Sequence, residues 1–286
     1  MQDSGVLRND IERIAREAGA ESIAISYYDY EKDTAGSYHG DRWFHAASTI
    51  KIAVLAALFA AIDENRFHPK ARLHVRNWFL SAADGKPYQV AASRDANATV
   101  QAAIGKTMRL EELALHMITT SSNLATNLLV DLLGREWIQD VLNRLDIHGI
   151  DFQRGVEDER AFEAGINNRV TANGLVSLLK AIYSGGYFSP ESRDQMLDIL
   201  LRQEFTSGIP AGLPDFVRSR ARVANKTGEI STVSHDAGLV FLPDRQPYAV
   251  AILSQWRPDR SGRREVVADL SRIVYHHLAG EAEADV

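Results

Sequence analysis

Trp43-Phe44-His45-Ala46-Ala47-Ser48-Thr49-Ile50-Lys51-Ile52, with the apolar run that continues to Ile62, marks where this chain changes character. Ahead of it, strand-like patterning predicts a strand from Ser22 to Tyr30, a turn at Glu31-Lys32-Asp33 and a second strand from Ser37 to Phe44. From about Thr49 to Leu201 the pattern is helical or loop. Strands return between Arg222 and Gln255, in the segments Arg222–Thr227, Ala237–Phe241 and Tyr248–Leu253. A helix from Val6 to Ala18, with Val6, Leu7, Ile11, Ile14 and Ala15 on one face, precedes the first strand. Another from Arg264 to Leu278 buries Val266, Val267, Leu270, Ile273 and Val274 and closes the chain. Strands at both ends of a helical middle require a discontinuous α/β domain, residues 1–47 and 205–286. Its sheet is antiparallel because hairpin-length connections join the strands. An all-α domain, residues 48–204, is inserted into it. The acidic tail, residues 280–286, is expected to fray.

At 286 residues, 45% of them hydrophobic and 24% charged, the chain has ample length for a core and the composition of an ordinary globular protein. A net charge of −6 and a pI near 5.9 argue against a nucleic-acid partner. The absence of cysteine excludes disulfides and thiolate metal sites and leaves the redox compartment open. No apolar run reaches membrane-spanning length. The polar start, Met1-Gln2-Asp3-Ser4-Gly5, is no signal peptide. The expected location is therefore the cytoplasm for the chain as written, and the periplasm or exterior if a leader has been removed.

Chemistry enters at three places. Ser48 stands at the head of the apolar helix, where free N–H groups and the helix dipole favour developing negative charge. Lys51 lies one helical turn further on, so its ammonium returns beside the hydroxyl. Ser-x-x-Lys is a loose pattern: Ser177-Leu178-Leu179-Lys180 repeats it on what reads as a helix surface between Leu175 and Ile182. Ser121-Ser122-Asn123 falls in the break between a helix over Leu110–Thr119 and another beginning at Leu124. Such a polar cluster either caps a helix or points side chains into a cleft. Lys226-Thr227-Gly228 ends a strand, which at a sheet edge offers its backbone to an amide while the lysine attracts a carboxylate. A serine hydroxyl needs a base to become a nucleophile, and Lys51 serves as one only if its pKa is lowered.

Taken in this order, the three motifs resemble those of the class A β-lactamase and penicillin-binding protein family of serine hydrolases. Met117 through Leu129 and Pro210-Ala211-Gly212-Leu213-Pro214 are similar to that family too, and the resemblance extends from about Ser22 to Leu278. It implies a β-lactamase/transpeptidase-like fold, α/β plus all-α, with an antiparallel sheet flanked by helices and an inserted helical domain. It implies hydrolysis of a β-lactam amide through an acyl-enzyme on Ser48. Lys51 would be the base, with its pKa lowered by Lys226, and Ser121 would relay a proton to the leaving nitrogen. Asn123, Lys226, Thr227 and Gly228 would bind substrate, and the N–H groups of Ser48 and Ile230 would hold the oxyanion. No cofactor or metal is implied, and the expected partner is a small β-lactam or peptide-like substrate, met by a monomer with no nucleic acid and no membrane segment.

Deacylation in class A enzymes uses a glutamate on a loop between the second and third motifs. Glu157, 36 residues beyond Ser121, has the matching spacing, within Arg154-Gly155-Val156-Glu157-Asp158-Glu159-Arg160-Ala161. Three features depart from the family: Ala161 stands where an asparagine is usual, the loop to Asn168 is about two residues shorter, and Ser122 replaces an aspartate. The same acidic residues also suit a solvated loop. Without a working base the chain would acylate and stall. The alternatives are a D-alanyl-peptide carboxypeptidase or small-ester hydrolase of the same fold, and a non-catalytic penicillin-binding or sensor module. His235-Asp236 does not complete a Ser-His-Asp triad, since no Gly-x-Ser-x-Gly elbow is present. His235 is expected to begin the next strand and to brace or line the site. His276-His277 are adjacent, which is poor metal-ligand spacing. Trp78 and the insert Ala82–Val100 fall where the family's pocket-rim loop lies.

Overall fold

The computed structural model describes residues 4–280, so most of the acidic tail, residues 281–286, lies outside the described residues. The chain divides into two compact units: residues 1–49, 171–179 and 205–286 form the first, and residues 50–170 and 180–204 the second.

The first unit is built on five antiparallel strands: β1 (Ser22–Asp29), β2 (Thr34–Tyr38), β3 (Arg222–Ile230), β4 (Val233–Phe241) and β5 (Tyr248–Gln255), in the order β3-β4-β5-β1-β2. β1 pairs with β5 from Ser22 opposite Gln255 to Asp29 opposite Tyr248, so the two ends of the chain are stitched into one sheet. The central strands β4 and β5 are buried along almost their whole length, as continuous apolar runs such as Tyr248-Ala249-Val250-Ala251-Ile252-Leu253 require. Ile23, Ile25, Val250 and Ile252 pack with Ile11 of the helix Ser4–Ala18 and with Leu270 and Val274 of the helix Arg263–Ala279. Two sequence expectations are corrected. Val6 is exposed in the first turn of its helix, so the apolar face starts at Leu7. The second strand spans Thr34–Tyr38 rather than 37–44, because His39 takes a left-handed backbone (φ 50°) that strand pairing cannot accommodate; Phe44–His45 is a separate short strand.

In the second unit the helix Lys51–Asp63 is buried on every side from Lys51 to Ala61, as expected of a helix that is apolar all round. The helices Leu110–Thr119, Asn123–Leu133, Arg135–Arg144 and Pro190–Leu201 pack around it. Asp63 at its last turn accepts hydrogen bonds from Ser189 N (2.9 Å), Ser189 Oγ (2.7 Å) and Ser192 Oγ (2.6 Å), tying the start of the helix Pro190–Leu201 to its end. This part is not wholly helical. Arg72–His74 pairs with Thr107–Arg109, Phe79–Leu80 with Pro87–Tyr88, and Ile150–Asp151 with Arg169–Val170. Ribbons of two or three residues are too short for a period of two to show. The helix Ala172–Ser184 begins in the first unit and ends in the second, and Ser177 of the repeated Ser-x-x-Lys pattern is exposed on it. Among the described residues no helix is long and apolar enough to cross a membrane.

Leu270 is fully buried against the sheet. Leu270→Ala is expected to lower unfolding free energy by about 2–5 kcal/mol, read from urea denaturation at unchanged slope.

Candidate active site

Ser48 lies in a single 3₁₀ turn, Ala47–Ile50, and the α-helix proper starts at Lys51. The helix has Ile50 at its cap position and no side-chain cap, so the Ser48 hydroxyl is not spent on capping. Ala47, immediately before it, has φ 46°, a left-handed conformation that costs a non-glycine residue on the order of 1–2 kcal/mol. The turn is held by Ala47 N donating to His45 Nδ1 (3.1 Å) and by Thr49 Oγ1 donating to Ala46 O (2.6 Å). Gly228 of β3 lies against it: a Cβ there would come within 3.1 Å of Ser48 N and 3.0 Å of Thr49 N. The glycine of the third motif is thus needed for close approach of the strand to the Ser48 backbone.

The register of β3 decides which of its amides are free. A two-residue loop, Ser231-Thr232, joins it to β4, which makes Ile230 and Val233 the closing hydrogen-bonded pair. Alternation then turns Gly228 and Lys226 toward β4 and leaves the N–H groups of Thr227 and Glu229 facing outward from this edge of the sheet. The expectation that Ile230 supplies an oxyanion donor is therefore corrected. Its N–H is committed to β4, and the outward amide beyond Gly228 belongs to Glu229.

Lys226 is completely buried, with Nζ donating to Thr227 O at 2.8 Å. Burial pushes its ammonium down to about 7, opposed by the charge of Asp236. Asp236, equally buried, accepts from Asn225 Nδ2 (2.9 and 3.0 Å) and Ile209 N (2.8 Å). Burial raises its pKa to about 6 despite those donors and Lys226. Lys226 thus acts as a source of field under the partly exposed Thr227, not as an exposed cation. His235 lies inside β4, not at its start. Its Nδ1 accepts from Ser254 N (3.1 Å), so Nε2 carries the proton and donates to His45 O (3.0 Å). Burial pushes its pKa down to about 4. A neutral histidine with both nitrogens used is a brace for the segment ahead of Ser48. His277 bonds to the Tyr27 hydroxyl (2.9 Å), and no group of three or more potential metal ligands occurs among the described residues.

The second unit holds Lys51, Ser121, Asn123 and Glu157. Lys51 is fully buried, and its Nζ lies 2.8 Å from Ser121 O, 3.0 Å from Ser121 Oγ and 2.8 Å from Asn123 Oδ1. The carbonyl and the amide oxygen only accept, whereas the hydroxyl can accept from an ammonium or donate to a neutral amine. Turning one hydroxyl proton therefore satisfies Lys51 in both protonation states. Ser121 reaches this position through a left-handed backbone, φ 59°, and Ser122 caps the helix Asn123–Leu133 by accepting from Ala125 N (3.1 Å). Asn123 extends the network: its Nδ2 donates to Glu157 Oε1 (3.1 Å) and to Arg94 O (2.7 Å).

Glu157, also left-handed at φ 58°, sits on a loop that is firmly held. Asn127 pairs with both the N–H and the carbonyl of Val156 (2.8 and 2.9 Å). Arg154 closes the loop on Ile166 O (2.8 Å) and Asn167 Oδ1 (3.0 Å), while Asn168 Oδ1 accepts from Arg154 N (3.0 Å). Asp158 is no solvated acid: it is buried and accepts from Ser81 Oγ and Ala82 N, both at 2.8 Å, which anchors the loop to the ribbon Phe79–Tyr88. Glu159 and Glu163 are exposed. Ala161 is buried and offers no polar atom beside the glutamate.

Two further residues of this site were not singled out from the sequence. Asp95 accepts from Asn123 N (3.2 Å), Leu124 N (3.0 Å) and Ser122 Oγ (3.2 Å). Arg94 Nε pairs with Glu157 Oε2 at 2.8 Å. The signal for Asp95 was the serine at position 122: an aspartate missing there leaves helix-start amides to be satisfied from elsewhere.

The model of the β-lactamase enzyme family matches residues 6–278. A β-lactamase of Bacteroides uniformis is 29% identical over 182 residues, 59% of this chain and 60% of that protein. Among solved structures, a mutant of PBP-A captured as an acyl-enzyme complex with penicillin G is 27% identical, with a TM-score of 0.77 over 95% of this chain and 96% of the other. The β-lactamase of Sphaerobacter thermophilus, 24% identical, shares the fold with a TM-score of 0.81 over 96% of this chain and 98% of the other. The chain belongs to the β-lactamase enzyme family and is a serine β-lactamase-like hydrolase.

The lowered pKa of Lys226 gives a pH dependence whose sign is fixed. The cation is present below about pH 7 and lost above it. For a carboxylate-bearing substrate, kcat/KM is expected to fall by about tenfold per unit well above that pH. Lys226→Arg, which stays charged, is expected to extend the plateau upward, measured as the pH profile of both proteins.

Proposed function

We propose that this chain hydrolyses β-lactam amides by acylating Ser48 and then deacylating it with a water activated by Glu157. The observation that carries this reading is Asn123, whose Oδ1 accepts from Lys51 at 2.8 Å while its Nδ2 donates to Glu157 at 3.1 Å. One amide ties a proton-carrying lysine to a carboxylate, which is what a two-step acyl transfer needs.

In the first step Ser48 Oγ attacks the lactam carbonyl carbon and its proton passes to neutral Lys51, one turn further along the chain. The N–H groups of Ser48 and Glu229 receive the oxyanion. The C–N bond breaks as the nitrogen takes the Ser121 hydroxyl proton, which Lys51 replaces. In the second step Glu157 takes a proton from water, whose oxygen attacks the ester carbonyl. The acyl C–O bond breaks, and the proton taken up by Glu157 is returned to Ser48 Oγ, which leaves Glu157 ionised and Lys51 neutral for the next cycle. Asn123, Thr227 and the outward backbone of β3 bind the substrate, with Lys226 supplying positive field to its carboxylate. The relatives, β-lactamases and a penicillin G acyl-enzyme of PBP-A, support a β-lactam as the substrate class.

A second reading, a peptidase-like enzyme that acylates and stalls, is favoured by one departure from the family: Ala161, which has no side-chain donor, stands where an asparagine is usual. Intact mass after mixing with benzylpenicillin separates the two. A transient adduct that disappears as product accumulates is expected. Ser48→Ala is expected to form none, and Glu157→Gln to keep its adduct, deacylating at least about 100-fold more slowly. A lasting adduct on the unaltered protein would instead establish the stalled enzyme.

A further inference from the structure

Glu157 presents an unusual pair of partners. Its Oε1 accepts from Asn123 Nδ2 (3.1 Å) and its Oε2 from Arg94 Nε (2.8 Å), with the glutamate side chain only 19% exposed. Arg94 does not arrive there by chance of rotamer alone. Its own carbonyl accepts from Asn123 Nδ2 (2.7 Å), and the next residue, Asp95, grips the amides of Asn123 and Leu124 and the Ser122 hydroxyl. Asp95 also accepts from Asn97 N (3.1 Å) and Gln101 Nε2 (3.2 Å), which ties the dipeptide back into its own segment. One dipeptide thereby joins the Ser121-Ser122-Asn123 turn to the loop carrying Glu157.

We propose that Arg94 is a positioning residue for deacylation, holding the Glu157 carboxylate in orientation through Oε2 where Ala161 provides no donor. This rests on the reading of Glu157 as the deacylation base. A carboxylate on a left-handed residue, held by the amide of Asn123 at one oxygen, can still rotate about its last torsion. A guanidinium at the second oxygen removes that freedom and leaves each oxygen a lone pair for water. Other charged or titratable groups within electrostatic reach of Glu157 are Arg154 and Tyr88, with Lys51 reached through Asn123 and Asp158 and Glu159 adjacent in the chain. Among these groups Arg94 forms an ion pair with its carboxylate.

The test compares unaltered protein, Arg94→Met, Arg94→Lys and Glu157→Gln, following acylation and deacylation by benzylpenicillin separately through intact mass in single turnovers. Arg94→Met is expected to leave acylation within about twofold and to slow deacylation at least about tenfold. Arg94→Lys, which keeps the cation, is expected to restore part of the deacylation rate. A purely structural role would slow both steps alike and show no rescue by lysine. If Arg94→Met deacylates like the unaltered protein while Glu157→Gln accumulates adduct, the positioning role is overturned and the glutamate base stands. If Glu157→Gln deacylates normally, the base assignment falls, and this inference with it.

Discussion

The second unit is organised by one constraint, a lysine side chain buried on the first turn of an apolar helix. Lys51 is shut off from bulk solvent, so its amine, charged or neutral, needs polar partners from the protein. One turn supplies three of them: the Ser121 carbonyl, the Ser121 hydroxyl and the Asn123 amide oxygen. To put two oxygens of one serine on the same cation, the chain adopts a left-handed backbone at Ser121. That strained turn needs support, which explains why the helix-start amides beyond it are gripped by Asp95 from a distant segment. The same lysine that organises the packing is the group best placed to move a proton, because one of its partners, the Ser121 hydroxyl, can reverse its role.

A parallel constraint acts in the first unit. The strand carrying Lys226-Thr227-Gly228 runs close to the backbone of Ser48, and a Cβ at Gly228 would crowd the Ser48 and Thr49 amides. Its position at the sheet edge turns the amides of Thr227 and Glu229 away from β4, where an added strand would pair. Beneath it, Lys226, Asn225 and Asp236 form a buried polar layer in which burial works on each charge in the direction of neutrality. The field they present is tied to pH in the neutral range, well below the usual lysine value.

Much of the fold was legible in the residues. The helix Leu110–Thr119, the buried run after Lys51, the strands near both ends and the closing helix all follow from period and composition. Short ribbons escaped because two or three residues carry no period. The strand through Tyr38 was read too far because nothing local announces that His39 will turn left-handed. Ile230 is the expected donor from the sequence because strand membership is visible there, while the hydrogen-bonding phase is set by the loop beyond it. A two-residue connection to Val233 decides it.

By itself the sequence determined the chemistry on offer: a serine ahead of a lysine, a serine-asparagine turn, a lysine-threonine-glycine strand and a glutamate at family spacing. Those are local patterns, and local patterns survive reading one residue after another. Only the tertiary structure decided which group each of them leans on. Arg94 on Glu157, Asp95 on the turn, Asp158 under the ribbon and His235 behind His45 are pairings between segments distant in the chain. The physical reason is that a buried polar group must be satisfied by whatever donor or acceptor folding brings within about 3 Å, and the identity of that partner is a property of packing, not of sequence neighbourhood.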